Sequence, residues 1–85
     1  MTIQDVKQIK LADYLQSLGY TPVKQQGRNL WYKSPLREET DASFKVNTEL
    51  EKWYDFGIGK GGNIIALAAE LYRSEDVVYL LRRIE

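Results

Sequence analysis

Four glycines stand within six positions, Gly57, Gly59, Gly61 and Gly62. They follow the aromatic run Trp53, Tyr54 and Phe56 and precede the apolar run Ile64 to Leu71. Glycine reaches backbone angles and close approaches that a side chain forbids, so the chain path here is tightly specified. Residues 51–71 therefore read as a strand, a glycine turn, and a helix with Asn63 as its N-cap. Ile64, Leu67, Ala68 and Leu71 mark the apolar face of that helix, and Ile65 and Tyr72 widen it. A glycine turn at a helix start exposes N–H groups that can hold an anion such as phosphate, with Lys60 inside the turn. The alternative is a tight connection that packs the helix on a small sheet. The turn is not a P-loop, because no Gly-Lys-Ser/Thr ends it.

Upstream, Thr2 and Asp5 have the spacing of a helix N-terminus. Val6, Ile9, Leu11, Ala12, Leu15 and Leu18 repeat at three and four, an amphipathic helix or two short ones broken near Ile9–Lys10. Gly19 and Pro22 end it. Val23 to Gln26 and Leu30 to Lys33 flank Gln26-Gly27-Arg28-Asn29 and read as a hairpin, which Ser34-Pro35 terminates. Leu36 to Asp41 reads as charged and irregular. Ser43 to Asn47 alternates with Phe44 and Val46 on one face, and Lys52 to Phe56 forms the next strand. Ser74 is expected to cap a last helix, with Glu75 and Asp76 in its first turn and Arg82 and Arg83 in its last. Val77, Leu80, Leu81 and Ile84 are expected to face the core. The fold class is α+β: an antiparallel sheet of three to five strands, flanked by an N-terminal helix and two C-terminal helices. Its outer face is short of apolar material and is expected to meet solvent or a partner.

The 85 residues form one domain, 1–85, expected to be a fragment of a longer chain. There is no cysteine and no histidine, which removes disulfides, thiolate metal sites and catalysis by either residue. No cofactor is implied. The formal net charge is zero, unlike that of a dedicated non-specific nucleic-acid binder. Charge is nevertheless uneven: Lys24, Arg28, Lys33 and Arg37 are uninterrupted by any acid. The acids Glu38, Glu39, Asp41, Glu49, Glu51 and Asp55 carry no metal motif, and solvated loops account for them. No segment is apolar enough to span a membrane and no leader is visible, so a cytoplasmic monomer is the expectation.

Three segments carry a family likeness: Ser34-Pro35-Leu36-Arg37, then Glu38 to Asn47 with Ser43, Phe44, Val46 and Asn47, then Trp53 to Asn63. Together they resemble the N-terminal zinc-binding domain of bacterial DNA primases and of their relatives on mobile elements. The resemblance spans about eighty residues. It implies a zinc-ribbon-like fold, but the four ligand positions hold Ser34, Arg37, Asp55 and Ile58, a set that cannot bind zinc. The resemblance therefore implies a degenerate, zinc-free member. In such a member Ile58 would fill the vacated volume and Arg37 would pair with Asp55. Burial of Trp31, Tyr32, Trp53 and Phe56 would replace the stability the metal gives.

The resemblance further implies a non-catalytic accessory domain of a primase-like or DNA-mobilisation protein, engaging single-stranded DNA while polymerising chemistry sits in another domain. Basic side chains on phosphates and aromatics under bases suit that task. The candidates are Arg28, Trp31, Lys33, Lys45, Lys52, Tyr54 and Lys60, with Trp31 and Lys33 on one face by alternation. The alternative is a docking or scaffold domain, bound to a catalytic domain or to a replication or mobilisation protein. Aromatics ringed by Lys and Arg would favour nucleic acid. An apolar patch away from charge would favour a protein partner.

Overall fold

The computed structural model describes residues 2–36 and 42–84. The chain starts in α1 (Ile3–Lys7) through a reciprocal capping box. Thr2 Oγ1 accepts the Asp5 N–H, and the Asp5 carboxylate accepts the Thr2 N–H, both at 3.1 Å. The helix breaks after Lys7 and restarts as α2 (Leu11–Ser17), the interruption expected near Ile9–Lys10. Gly19, at φ 92°, lets the chain reverse so that the Tyr20 N–H reaches the Leu15 carbonyl at 2.9 Å.

Among the described residues five short strands follow: β1 (Lys24–Gln26), β2 (Asn29–Tyr32), β3 (Phe44–Asn47), β4 (Lys52–Asp55) and β5 (Lys60–Gly62). Each pairs antiparallel with the next, giving an open meander in sequence order. Alternation divides the side chains cleanly. Tyr32, Phe44, Val46 and Trp53 point inward and are buried, whereas Trp31, Lys45 and Tyr54 stand in one register row on the other side. The glycine stretch differs from its sequence reading. It does not open directly into a helix, because Lys60–Gly62 first pairs with β4 as a fifth strand.

The helices α3 (Ile64–Tyr72) and α4 (Val77–Ile84) complete the inner layer with α1 and α2. Asn63 caps α3 as expected, its side chain accepting the Ala66 N–H at 3.0 Å. The cap of α4 is Asp76 rather than Ser74: Asp76 Oδ1 accepts the Val78 and Tyr79 N–H groups at 3.1 and 3.3 Å. Val77, expected to face the core, is exposed in the first turn of α4, although its spacing puts it on the same side as buried Leu80 and Ile84. Val6, Leu11, Leu15, Leu67 and Leu80 from the helices meet the inner side of the sheet. There Phe44 stacks on Trp53 with centroids 5.4 Å apart, and Tyr32 meets Phe44 T-shaped at 6.1 Å. Trp53 Nε1 donates to the Asn63 carbonyl at 2.8 Å, tying β4 to the start of α3. Burying each such ring stabilises the fold by about 2–3 kcal/mol.

Candidate nucleic-acid interface

The outer side of the sheet is built by alternation along β2, β3 and β4. Its central row runs Lys24, Trp31, Lys45, Tyr54 and Gly61 across all five strands. Phe56, just past β4, completes an aromatic trio. It stacks on Trp31 with centroids 5.8 Å apart and planes 22° from parallel, and it meets Tyr54 T-shaped at 4.8 Å. Lys24 Nζ lies 5.3 Å from the Trp31 ring centroid and Lys45 Nζ 5.5 Å from that of Phe56. Lys52 shares the face of Tyr54 two residues before it and is exposed, and exposed Lys33 follows directly after β2. The result is an aromatic platform interleaved with cations.

Gly61 seats this platform. A methyl group built there would stand 2.5 Å from the Trp53 carbonyl oxygen and 2.8 Å from Tyr54 Cδ1. Only a residue without Cβ lets the Tyr54 ring lie over β5, and Phe56 packs on that ring in turn. The glycine cluster thus holds aromatics rather than an anion. The turn amides are already occupied: Asp55 Oδ1 accepts the Gly57 and Ile58 N–H groups at 2.8 and 3.3 Å, and the Asp55 carbonyl accepts that of Gly59 at 2.8 Å. The phosphate-cradle reading is therefore wrong for these amides.

Lys60 and Arg28 stand apart from the platform. Lys60 Nζ is 3.2 Å from Glu70 Oε1 on α3, and it occupies the register position of inward-facing Asp55. Arg28 lies in the β1–β2 turn and pairs with Glu49. Of the seven sequence candidates, Trp31, Lys33, Lys45, Lys52 and Tyr54 share one side of the sheet, and Arg28 and Lys60 are engaged elsewhere. Lys24 and Phe56 were missed as site residues, although both were readable. The two-residue Gly27-Arg28 turn fixes Lys24 opposite Trp31, and alternation puts Phe56 on the Tyr54 side. Phe56 was expected to stabilise by burial, but it is 55% exposed, because the inward side belongs to Trp53 and Asp55.

Where β2 and β4 end side by side, Asp55 is fully buried. Its Oδ2 accepts the Ser34 hydroxyl at 2.5 Å, and Ser34 Oγ in turn accepts the Leu36 N–H at 3.1 Å. Asp55 is thus a structural hub, not a solvated loop acid. Ile58, expected to fill volume here, is 39% exposed, because its backbone N–H and not its side chain is drawn to Asp55. Arg37, the expected partner of Asp55, lies outside the described residues. Among the described residues no cluster of His, Cys, Asp or Glu could hold a metal ion. Zinc does not fit the donor set: a hydroxyl and one carboxylate, already hydrogen-bonded, supply no thiolate or imidazole.

An open antiparallel meander backed by helices, with a carboxylate-centred hydrogen-bond hub at the strand ends, is a zinc-ribbon-like module built without its metal. The chain belongs to the CHC2 zinc finger family, whose model matches residues 1–82. It is 38% identical over 60 residues to a DNA primase of Listeria monocytogenes, covering 69% of this chain and 10% of that protein. It is 31% identical over 71 residues to a DNA primase of Halalkalibacterium halodurans, covering 82% of this chain and 12% of that protein. The crystal structure of the zinc-binding and RNA polymerase domains of Aquifex aeolicus primase has the same fold. That match has a TM-score of 0.73 at 22% identity, over 99% of this chain and 21% of that one. The chain thus spans about a tenth of the curated primases it matches and corresponds to their non-catalytic zinc-binding part. Among the described residues no helix is long and apolar enough to cross a membrane.

Proposed function

We propose that this domain engages single-stranded DNA through the outer side of its sheet, as an accessory module of a primase-like protein. The observation that carries this reading is the row Lys24, Trp31, Lys45 and Tyr54 with Phe56 stacked upon it. Single strands are bound by cations that track phosphates and by aromatic faces that accept any base. The exposed rings here are bordered by lysines and do not lie in an apolar patch away from charge, which favours nucleic acid over the docking alternative. The neutral net charge predicts modest affinity, because binding would rest on this local row and not on a global field.

The test is fluorescence anisotropy with a labelled single-stranded DNA of about twenty nucleotides, at low salt and again at about 0.2 M. Saturable binding that weakens with salt is expected. Trp31→Ala with Tyr54→Ala should abolish it, while Lys60→Glu should leave it largely intact. No binding at micromolar protein in low salt would remove the reading and turn attention to docking.

A further inference from the structure

The two lysines at the platform occupy the positions that bases would need. Lys24 Nζ sits over Trp31 and Lys45 Nζ over Phe56, at 5.3 and 5.5 Å from the ring centroids. Neither lysine pairs with a carboxylate among the described residues, in contrast to Lys60 and Arg28. Beside them, Trp31 Nε1 and Asn29 Oδ1, both on the outward side of β2, are buried without a hydrogen-bond partner.

We infer that Lys24 and Lys45 are exchangeable caps. They lie on the Trp31 and Phe56 rings in the free protein and move to phosphate when unpaired bases take those ring faces. The inference rests on the single-strand reading above and gives it a mechanism. An ammonium over an exposed ring is weakly held, whereas a base stacked on the same ring is held more firmly. The displaced ammonium does not return to water, because the stacked nucleotide brings a phosphate within reach of a lysine stem rooted in the neighbouring strand. Strand spacing of about 4.8 Å alternates cation and aromatic along the row, so base and phosphate of one nucleotide meet adjacent positions. The ligand this surface selects is an unpaired strand carrying base and phosphate together. A duplex, whose bases are stacked inside, leaves the caps in place.

The test is NMR on the intact domain. Ring currents should shift the ε-methylene protons of Lys24 and Lys45 upfield in the free protein. An oligo(dT) of about ten nucleotides should return both to the ordinary lysine position while the Trp31 indole N–H moves. A duplex of the same length should leave the upfield shifts unchanged. If oligo(dT) binds by anisotropy while the lysine methylenes stay upfield, the exchange is overturned and the single-strand reading stands. If oligo(dT) does not bind at all, both fall. Lys24→Met with Lys45→Met supplies a second readout. The variant, verified as folded by circular dichroism, should bind about tenfold more weakly, with its salt slope reduced by roughly 1.4 for two lost single-strand phosphate contacts. An unchanged affinity and slope would overturn the inference.

Discussion

The carboxylate of Glu51 accepts the backbone N–H of Leu11 at 2.8 Å, across forty residues of chain. Leu11 is the first residue of α2, and the side chain of Lys10 before it makes no capping bond, so a turn between two strands caps a helix that begins far away in sequence. Glu51 holds a left-handed backbone at φ 52° to do so. Glu51→Ala is expected to cost about 1–2 kcal/mol, the loss of a helix cap with the backbone strain retained. Glu51→Gly should lose less, because glycine relieves the strain while losing the same bond. Urea midpoints of the two variants check the order.

Asp55 ties the end of β4 to Ser34 after β2 and to the glycine turn. Asp55→Ala would leave the Ser34 hydroxyl and the Gly57 and Ile58 N–H groups without their acceptor. Its expected cost is on the order of 3 kcal/mol. Asp55→Asn keeps an acceptor oxygen and should cost less. Since the hub needs no metal, millimolar chelator should leave the melting temperature of the unmodified protein unchanged, where a zinc-dependent fold would collapse. Differential scanning fluorimetry with and without chelator measures this directly.

Gly61→Ala places a methyl 2.5 Å from the Trp53 carbonyl oxygen, so backbone must give way. A loss of about 1–3 kcal/mol is expected from the forced shift. The same substitution tilts Tyr54 off β5 and should weaken single-stranded DNA binding well below saturation of the folded fraction. Gly27→Ala is the control: nothing lies within 4 Å of its added Cβ, and only the strain of φ 59° applies.

Tyrosine ionisation is expected to lower stability at alkaline pH. Burial, then the nearby Tyr72, raises Tyr14 above the ordinary value of 10.0. Burial, then the Glu51 carboxylate, raises Tyr32. The folded state therefore favours both neutral phenols, and the unfolded chain ionises first. Their stabilisation is fully present below pH 10 and is lost as pH climbs past that value toward the raised ones. Absorbance at the phenolate band should show these two tyrosines ionising late and together with loss of circular dichroism. Simple early titration of all six tyrosines, with the fold intact, would contradict the burial described.

The faces of the sheet were legible because alternation is local: Leu30 and Tyr32 opposite Trp31, and Phe44 with Val46, follow from period two alone. Helix breaks and the Asn63 cap were legible for the same reason. What the sequence concealed depends on distant pairing. Glu70 claims Lys60 from ten residues away and Glu49 claims Arg28 from twenty-one, so neither basic residue could be discounted beforehand. The glycine turn looked like an anion cradle because its amides are visible in sequence, while the side chain that takes them, Asp55, reads there as an ordinary loop acid. The start of α4 was misplaced because Ser74 and Asp76 are both good caps: Ser74 Oγ accepts the Asp76 N–H, while Asp76 takes the first amides of the helix.

The meander is open, so it ends in two border strands with unpaired backbone groups. β1 is three residues long, fully exposed and entirely polar as Lys24, Gln25 and Gln26. β5 is equally short, with two glycines and a lysine tethered to Glu70. Brevity, lysine and the absence of apolar side chains are what discourage sheets from adding copies of themselves. The domain can therefore keep an aromatic face uncovered without inviting neighbouring molecules to extend its sheet into a growing ladder.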